Sequence, residues 1–173
     1  MKRIVTALAV LAFAGVAGAQ EGAPNDAQIA HIVVTANQVD IDAGKLAESK
    51  ASNSDVKQFG ETMVRDHEAV NKQATDLAKK LNVKPEDNAT SRSLAQGGRD
   101  NLAHLKALKK GGEFDRAYVD HEVAYHQAVI DALDKTLIPN AKNAELKDLL
   151  VKTRPAFVAH LDHAKMIQSK LGK

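Results

Sequence analysis

Residues 56–82 read VKQFGETMVRDHEAVNKQATDLAKKLN. Apolar side chains fall at Val56, Phe59, Met63, Val70, Ala74, Leu77 and Leu81. These steps of three and four mark one face of an α-helix. One slot in the stripe is polar: between Met63 and Val70 the face passes through His67. A histidine on the buried seam of a helix needs a partner, because an unpaired buried polar group costs about 1–3 kcal/mol. What His67 meets is therefore the first functional question.

Working outward, Ser52-Asn53 breaks the pattern and Ser54 can cap the His67 helix. Before it, a helix begins near Asp26, a good N-cap residue, and runs to about Ala51. Its core face reads Ile29, Val33, Ala36, Val39 or Asp40, Ala43 and Ala47. So short a connection predicts an antiparallel helical hairpin. After Asn82 a loop is marked by Pro85. A weaker helix follows, from Thr90 or Ser91 to about Lys109. Gly97-Gly98 lies inside it at a cost of roughly 1 kcal/mol per glycine relative to alanine, which predicts local looseness or a close helix contact. A fourth helix spans Glu113 to Leu137 with a stripe at Val119, Val123, Ile130, Leu133 and Leu137, and His126 fills the missing slot. A last segment, Asn143 to Leu171, carries Leu146, Leu150, Phe157, His160, Ala164 and Ile167 on one face. Pro155 should kink it or start it afresh. No β-branched run alternates with turn chemistry. The expected fold is all-α: an antiparallel four-helix bundle with one extra, shorter helix, the Thr90–Lys109 segment serving as crossover or as fourth member.

The N-terminus carries a different signal. Lys2 and Arg3 precede an apolar run from Ile4 to Val16, and Ala17-Gly18-Ala19 offers small residues for cleavage. This predicts a cleaved secretory signal peptide over 1–19, a flexible lead over 20–25 and a single helical domain over 26–173, with the protein periplasmic or secreted. The run is short of the ~20 residues of a spanning helix. The absence of any cysteine excludes a lipid-anchored lipoprotein and leaves stability to packing rather than disulfides. The chain has 24 basic and 22 acidic residues; without Lys2 and Arg3 the two balance. That balance gives no basis for nucleic-acid binding or for attraction to an anionic membrane. Protein partners are not specified, and an oligomer is compatible with the sequence.

His67, His126 and His160 each interrupt an apolar stripe on a different helix, and His163 follows His160 by three, on the same side. Asp66 adjoins His67, Glu122 precedes His126 by four, and Asp120 and His121 lie beside them. Counting residues from each turn places His67 level with Gln38 to Asp40, and groups it with Tyr118, His121, His160 and His163. By the same count His126 lies lower, near Pro155. The count drifts by about four residues, roughly 6 Å of rise, so His121 and His126 both stay in view.

Two readings compete. Imidazoles from facing helices could bind a transition metal such as zinc, copper or iron. The ligands would be His67, His126, His160 and His163, supported by Asp66, Tyr118, Asp120, His121 and Glu122. Alternatively the histidines form a structural layer that fixes helix register, in a non-catalytic interaction protein. A third reading, a cofactor-free enzyme with His67 as base and Asp66 as its orienter, requires a cleft. No Glu-x-x-His lies on a core face, which argues against a ferritin-type di-iron site. Nucleophile and phosphate-loop motifs are absent as well.

MVRDH, with LAESKASNSDVKQFG before it, and YVDHEVAYHQAVI and RPAFVAHLDHA together resemble the bacterial domain-of-unknown-function family 4142 (DUF 4142) over about Asp26 to Lys170. The resemblance implies export and a ferritin-like four-helix fold, with no established reaction. It matches Asp66-His67, His126 and His160, together with Tyr118 and Asp120, and so favours His126 where the depth count favours His121.

Overall fold

The computed structural model describes residues 22–172. The signal-peptide reading of 1–19, and the start of the lead that follows it, lie outside the described residues. Among the described residues all regular structure is helical: α1 Asp26–Lys50, α2 Ser54–Lys80, α3 Ala89–Ala107, α4 Gly112–Ala132, a π-helical turn Leu133–Leu137, the single turn α5 Ile138–Asn140, and α6 Ala144–Leu171. The all-α expectation holds.

Asparagine caps four of the five long helices, α4 starting instead from Gly111. Asn25, Asn53, Asn88 and Asn143 accept bonds from the first-turn amides of α1, α2, α3 and α6, satisfying donors that have no partner within the helix. Two caps thus sit one residue earlier than Asp26 and Ser54. Asp26 is freed for a longer reach: its carboxylate accepts from the Lys142 and Asn143 amides at 2.8 and 2.9 Å, tying α1 to the start of α6. Asp115 does the same at the other end, accepting from the Ser52 and Asn53 amides at 2.9 Å each and from the Ser52 hydroxyl.

α1 packs on α2 and α3, α4 packs on α6, and further contacts run from α2 to α6, from α1 to α4 and from α3 to α4. Glycines set two of these approaches. A Cβ on Gly60 would lie 2.9 Å from both the Gly44 carbonyl oxygen and Ala47 Cβ, so α1 and α2 touch backbone to backbone. A Cβ on Gly98 would lie 2.6 Å from Val39 Cγ2. Gly97-Gly98 therefore brings α3 close to α1, and α3 runs through both without a break. Pro155 does not restart the last helix: α6 is continuous across it. α4, expected to stay α-helical to Leu137, instead widens into a π turn closed by the Ile138 amide on the Leu133 carbonyl.

The apolar core falls into two clusters. One gathers Ile29, Ile32, Val33, Ile130, Leu133, Leu137, Leu146, Leu150 and Phe157. The other gathers Ala43, Ala47, Val56, Phe59, Met63, Phe114, Val119, Ala164 and Ile167. Along α1, α2, α4 and α6 the residues at the change-over between clusters are Asn37, Asp40, His67, Glu122, His126 and His160, all buried. A polar layer separates two greasy halves.

Candidate metal centre

His67 occupies the slot between Met63 and Val70 on α2, and helical period turns it inward. Its ring stacks on Phe157, centroids 5.2 Å apart and planes 8° from parallel. Nδ1 lies 2.6 Å from Asn37 Oδ1. The Asn37 amide nitrogen donates to the Val33 carbonyl at 2.9 Å, so Oδ1 faces His67 as acceptor and Nδ1 carries the proton. Nε2 is left with a lone pair and no hydrogen-bond partner.

The other two imidazoles are prepared in the same way. His126 Nδ1 donates to the Glu122 carbonyl oxygen one turn back at 3.0 Å, and its Nε2 has no partner. His160 Nε2 donates to Asp66 Oδ2 at 3.0 Å, and its Nδ1 has no partner. The three rings form a near-equilateral triangle, with centroids 5.3, 5.4 and 5.6 Å apart. One ring nitrogen from each lies within 4.8 Å of the others. Nitrogens bound to one ion at ~2.0–2.1 Å stand no more than about 4.2 Å apart, which is the spacing the triad must meet to hold a metal.

Its protonation suits that role. Burial, reinforced by the neighbouring His126 and His160 rings, pushes the His67 pKa down to about 3. Burial also lowers His160, against the pull of the Asp66 carboxylate. Neutral imidazole is the form that ligates a metal. A tethered second nitrogen, donating to a carboxylate or a backbone carbonyl, is the outer-shell support that metal-bound histidines use.

A second triad adjoins the first. Asp40, Glu122 and His126 each offer an atom within 4.8 Å of the others. Asp40 Oδ2 lies 3.5 Å from His67 Nε2. Glu122 Oε2 is 3.4 Å from His126 Nδ1, and Oε1 is 3.9 Å from His121 Nδ1. At these separations the carboxylates face imidazole nitrogens with only long, weak hydrogen bonds to them, and neither Glu122 oxygen has a well-formed partner. Burial raises the Asp40 pKa well above the carboxylate range, and the charge of Glu122 and a hydrogen bond between the two side chains add to it. Burial would raise Glu122 too, but His121 and His126 draw it down to about 2. Without an ion, a proton therefore rests on Asp40 and the negative charge on Glu122.

The sequence model of a domain of unknown function (DUF4142) matches residues 12–167, which include every member of both triads. The chain belongs to the DUF4142 family. No curated protein and no solved structure matches it.

Not every residue singled out in this DUF4142 chain joins the triads. His163 is half-buried and packs edge-on against Phe59, centroids 5.2 Å apart, within the other core half. His121 lies over Tyr125 with centroids 5.5 Å apart, beside Glu122. The depth count had placed both with His67; the ring that sits there is His126. Asp120 accepts from Gln168 Nε2 at 2.8 Å. Tyr118 is fully buried, and its hydroxyl has no hydrogen-bond partner. Burial, with Glu122 and Asp40 nearby, raises its pKa. Asp66 also accepts from Arg65 at 2.8 Å. Burial acts to raise the Asp66 pKa, but Arg65 and His160 together hold it below its usual value.

The sequence alone does not single out Asn37 and Asp40 as site residues, although Asp40 lies on the α1 core stripe level with His67. Their spacing of three on that stripe was the available signal.

A cavity of ≈ 30 Å³ reaches the layer from the leucine-rich half, with Asn37, Asp40 and His67 at its polar end and Leu94, Leu133 and Phe157 among its apolar walls. It has room for a water or two and runs beside the π turn, a feature frequent at functional sites.

Proposed function

We propose that this DUF4142 protein is an exported, single-domain metal-binding protein of the ferritin-like four-helix type, holding one transition-metal ion on His67, His126 and His160. The observation that carries the reading is the shared state of the three rings: each has one nitrogen tied to a protein acceptor and the other buried without a partner. A layer serving only helix register gains nothing from three unpartnered lone pairs on three adjoining rings, since each costs desolvation. Three neutral nitrogens suit zinc, copper or iron, and three protein ligands leave a coordination position open. The helix contacts support the bundle: α1, α2, α6 and α4 touch in sequence and the circuit closes from α4 to α1, with α3 lying against α1. The Lys2-Arg3 and Ile4–Val16 pattern supports export.

Elemental analysis of protein purified from the exported fraction tests the metal. About one ion or more per chain is expected, falling sharply in His67→Ala. A metal-free wild type that shows no thermal shift with zinc, copper or iron would overturn the reading. N-terminal sequencing of the same sample should begin near Gln20.

A further inference from the structure

We propose that the chain holds a second divalent cation, on Asp40 and Glu122, beside the histidine-bound ion and sharing His126 with it. The inference rests on the histidine site proposed above and assigns that site a partner.

The carboxylates come from two helices, Asp40 from α1 and Glu122 from α4, and are 2 % and 0 % exposed. Their ion-pair partners are all histidines: His67 for Asp40, and His121 and His126 for Glu122. Among the described residues no lysine or arginine neutralises either. Three side-chain oxygens of the pair, Asp40 Oδ1 and both from Glu122, have no hydrogen-bond partner, and the fully buried Tyr118 hydroxyl has none either. Apart from the proton that Asp40 shares with Glu122, these oxygens are withdrawn from water without a well-formed partner. Buried carboxylates in native proteins are paired or coordinate metals.

Charge and donor type separate the two positions. Three neutral imidazoles bring no charge, whereas two carboxylates bring two negative charges, which one divalent cation balances. Oxygen donors with a single imidazole suit manganese, iron or zinc, and the all-nitrogen position suits zinc or copper. The two triads have only His126 in common. Its Nδ1 faces the Glu122 carboxylate at 3.4 Å while its Nε2 is unpartnered. Loading the second ion would release two protons to solvent, one from Asp40 and one from His126 Nδ1, leaving His126 as an imidazolate between the two positions and exchanging its bond to the Glu122 carbonyl for one to the metal.

The test loads purified protein with excess Co²⁺, removes loose ion by gel filtration and measures cobalt per chain. Wild type should hold two. The paired variant Asp40→Asn/Glu122→Gln keeps side-chain volume and should hold one, with the visible absorption of the histidine position retained. One ion in wild type that the amide variant keeps overturns the second position and leaves the histidine site standing, whereas one ion that the amide variant loses lies on the carboxylates and overturns the histidine site beneath the proposal. No cobalt at all overturns the histidine site beneath it. Should the amide variant fail to fold, low-temperature EPR of wild type decides: coupling through His126 should suppress the isolated Co²⁺ signal, and two full uncoupled signals would overturn the shared ligand.

Discussion

The contact of α1 with α2 at Gly44–Gly60 and the polar layer one to two turns away are built on opposite rules. At the glycines, backbone meets backbone, and a single added methyl would stand 2.9 Å from a carbonyl oxygen. Nothing there remains to be satisfied. In the layer, imidazoles, carboxylates and a phenol are buried with their polar atoms unfilled. The first region spends its sequence on stability and fixes how the helices approach. The second gives up stability to present ligands in the geometry that the first imposes. The pairing matches the general need to hold a binding constellation on rigid elements with locked outer-shell support.

The largest effect should come from the tight contact. Gly60→Val places a branched side chain against the Gly44 carbonyl and Ala47, and should cost about 3 kcal/mol or more, read by urea unfolding at neutral pH. Gly98→Ala meets the Val39 side chain and no backbone atom, so its loss should be smaller than that of the bulkier Gly60→Val. Comparable loss at both sites would break the assignment of rigidity to the α1–α2 seam.

Next in size is acid sensitivity of the metal-free protein. The His67 pKa is held down to about 3, below its ordinary value near 6.5. Between those values the unfolded chain binds a proton that the folded chain refuses. Stability is full above about pH 6.5 and falls as pH drops through that window, by somewhat over 1 kcal/mol per pH unit. His160, also lowered, adds to the loss. Asp40, raised, opposes it, because the folded state holds its proton more tightly. The clean readout is therefore a difference: between pH 6.5 and 4.5, wild type should lose about 2–3 kcal/mol more than His67→Leu. Equal slopes would mean that His67 is not buried neutral.

Asp66→Ala comes third. It removes the acceptor that holds His160 Nε2 and leaves the three ligands in place. Zinc affinity by chelator competition should fall about 10–100-fold with little change in apo stability, since Asp66 is part-exposed. Unchanged affinity would make the Asp66–His160 bond incidental. The smallest effect should be that of His67→Leu on the metal-free fold at neutral pH. The variant loses the Asn37 bond but also removes an unpartnered nitrogen, so a change within about 1 kcal/mol is expected in urea unfolding.

The helices were legible because period survives everywhere. Stripes interrupted by His67, His126 and His160 gave both the elements and the inward rings. Family resemblance selected His126 correctly where counting residues across loops chose His121 and His163. That count failed because register drifts with each connection crossed. Asp40 was hidden by chemistry rather than by period: an acid on a stripe reads as a flanking polar residue until its neighbours across the seam are known. The π turn at Leu133–Leu137 had no sequence mark, since its residues are ordinary helix formers and one extra residue per turn changes only the carbonyl that an amide reaches.

X-ray absorption at the metal edge of zinc-loaded protein tests the central claim most directly. The account predicts a first shell dominated by nitrogen near 2.0–2.1 Å with outer-shell scattering from three imidazoles at the histidine position, reduced in His67→Ala. A spectrum without imidazole scattering, or protein that retains no zinc to measure, would contradict it.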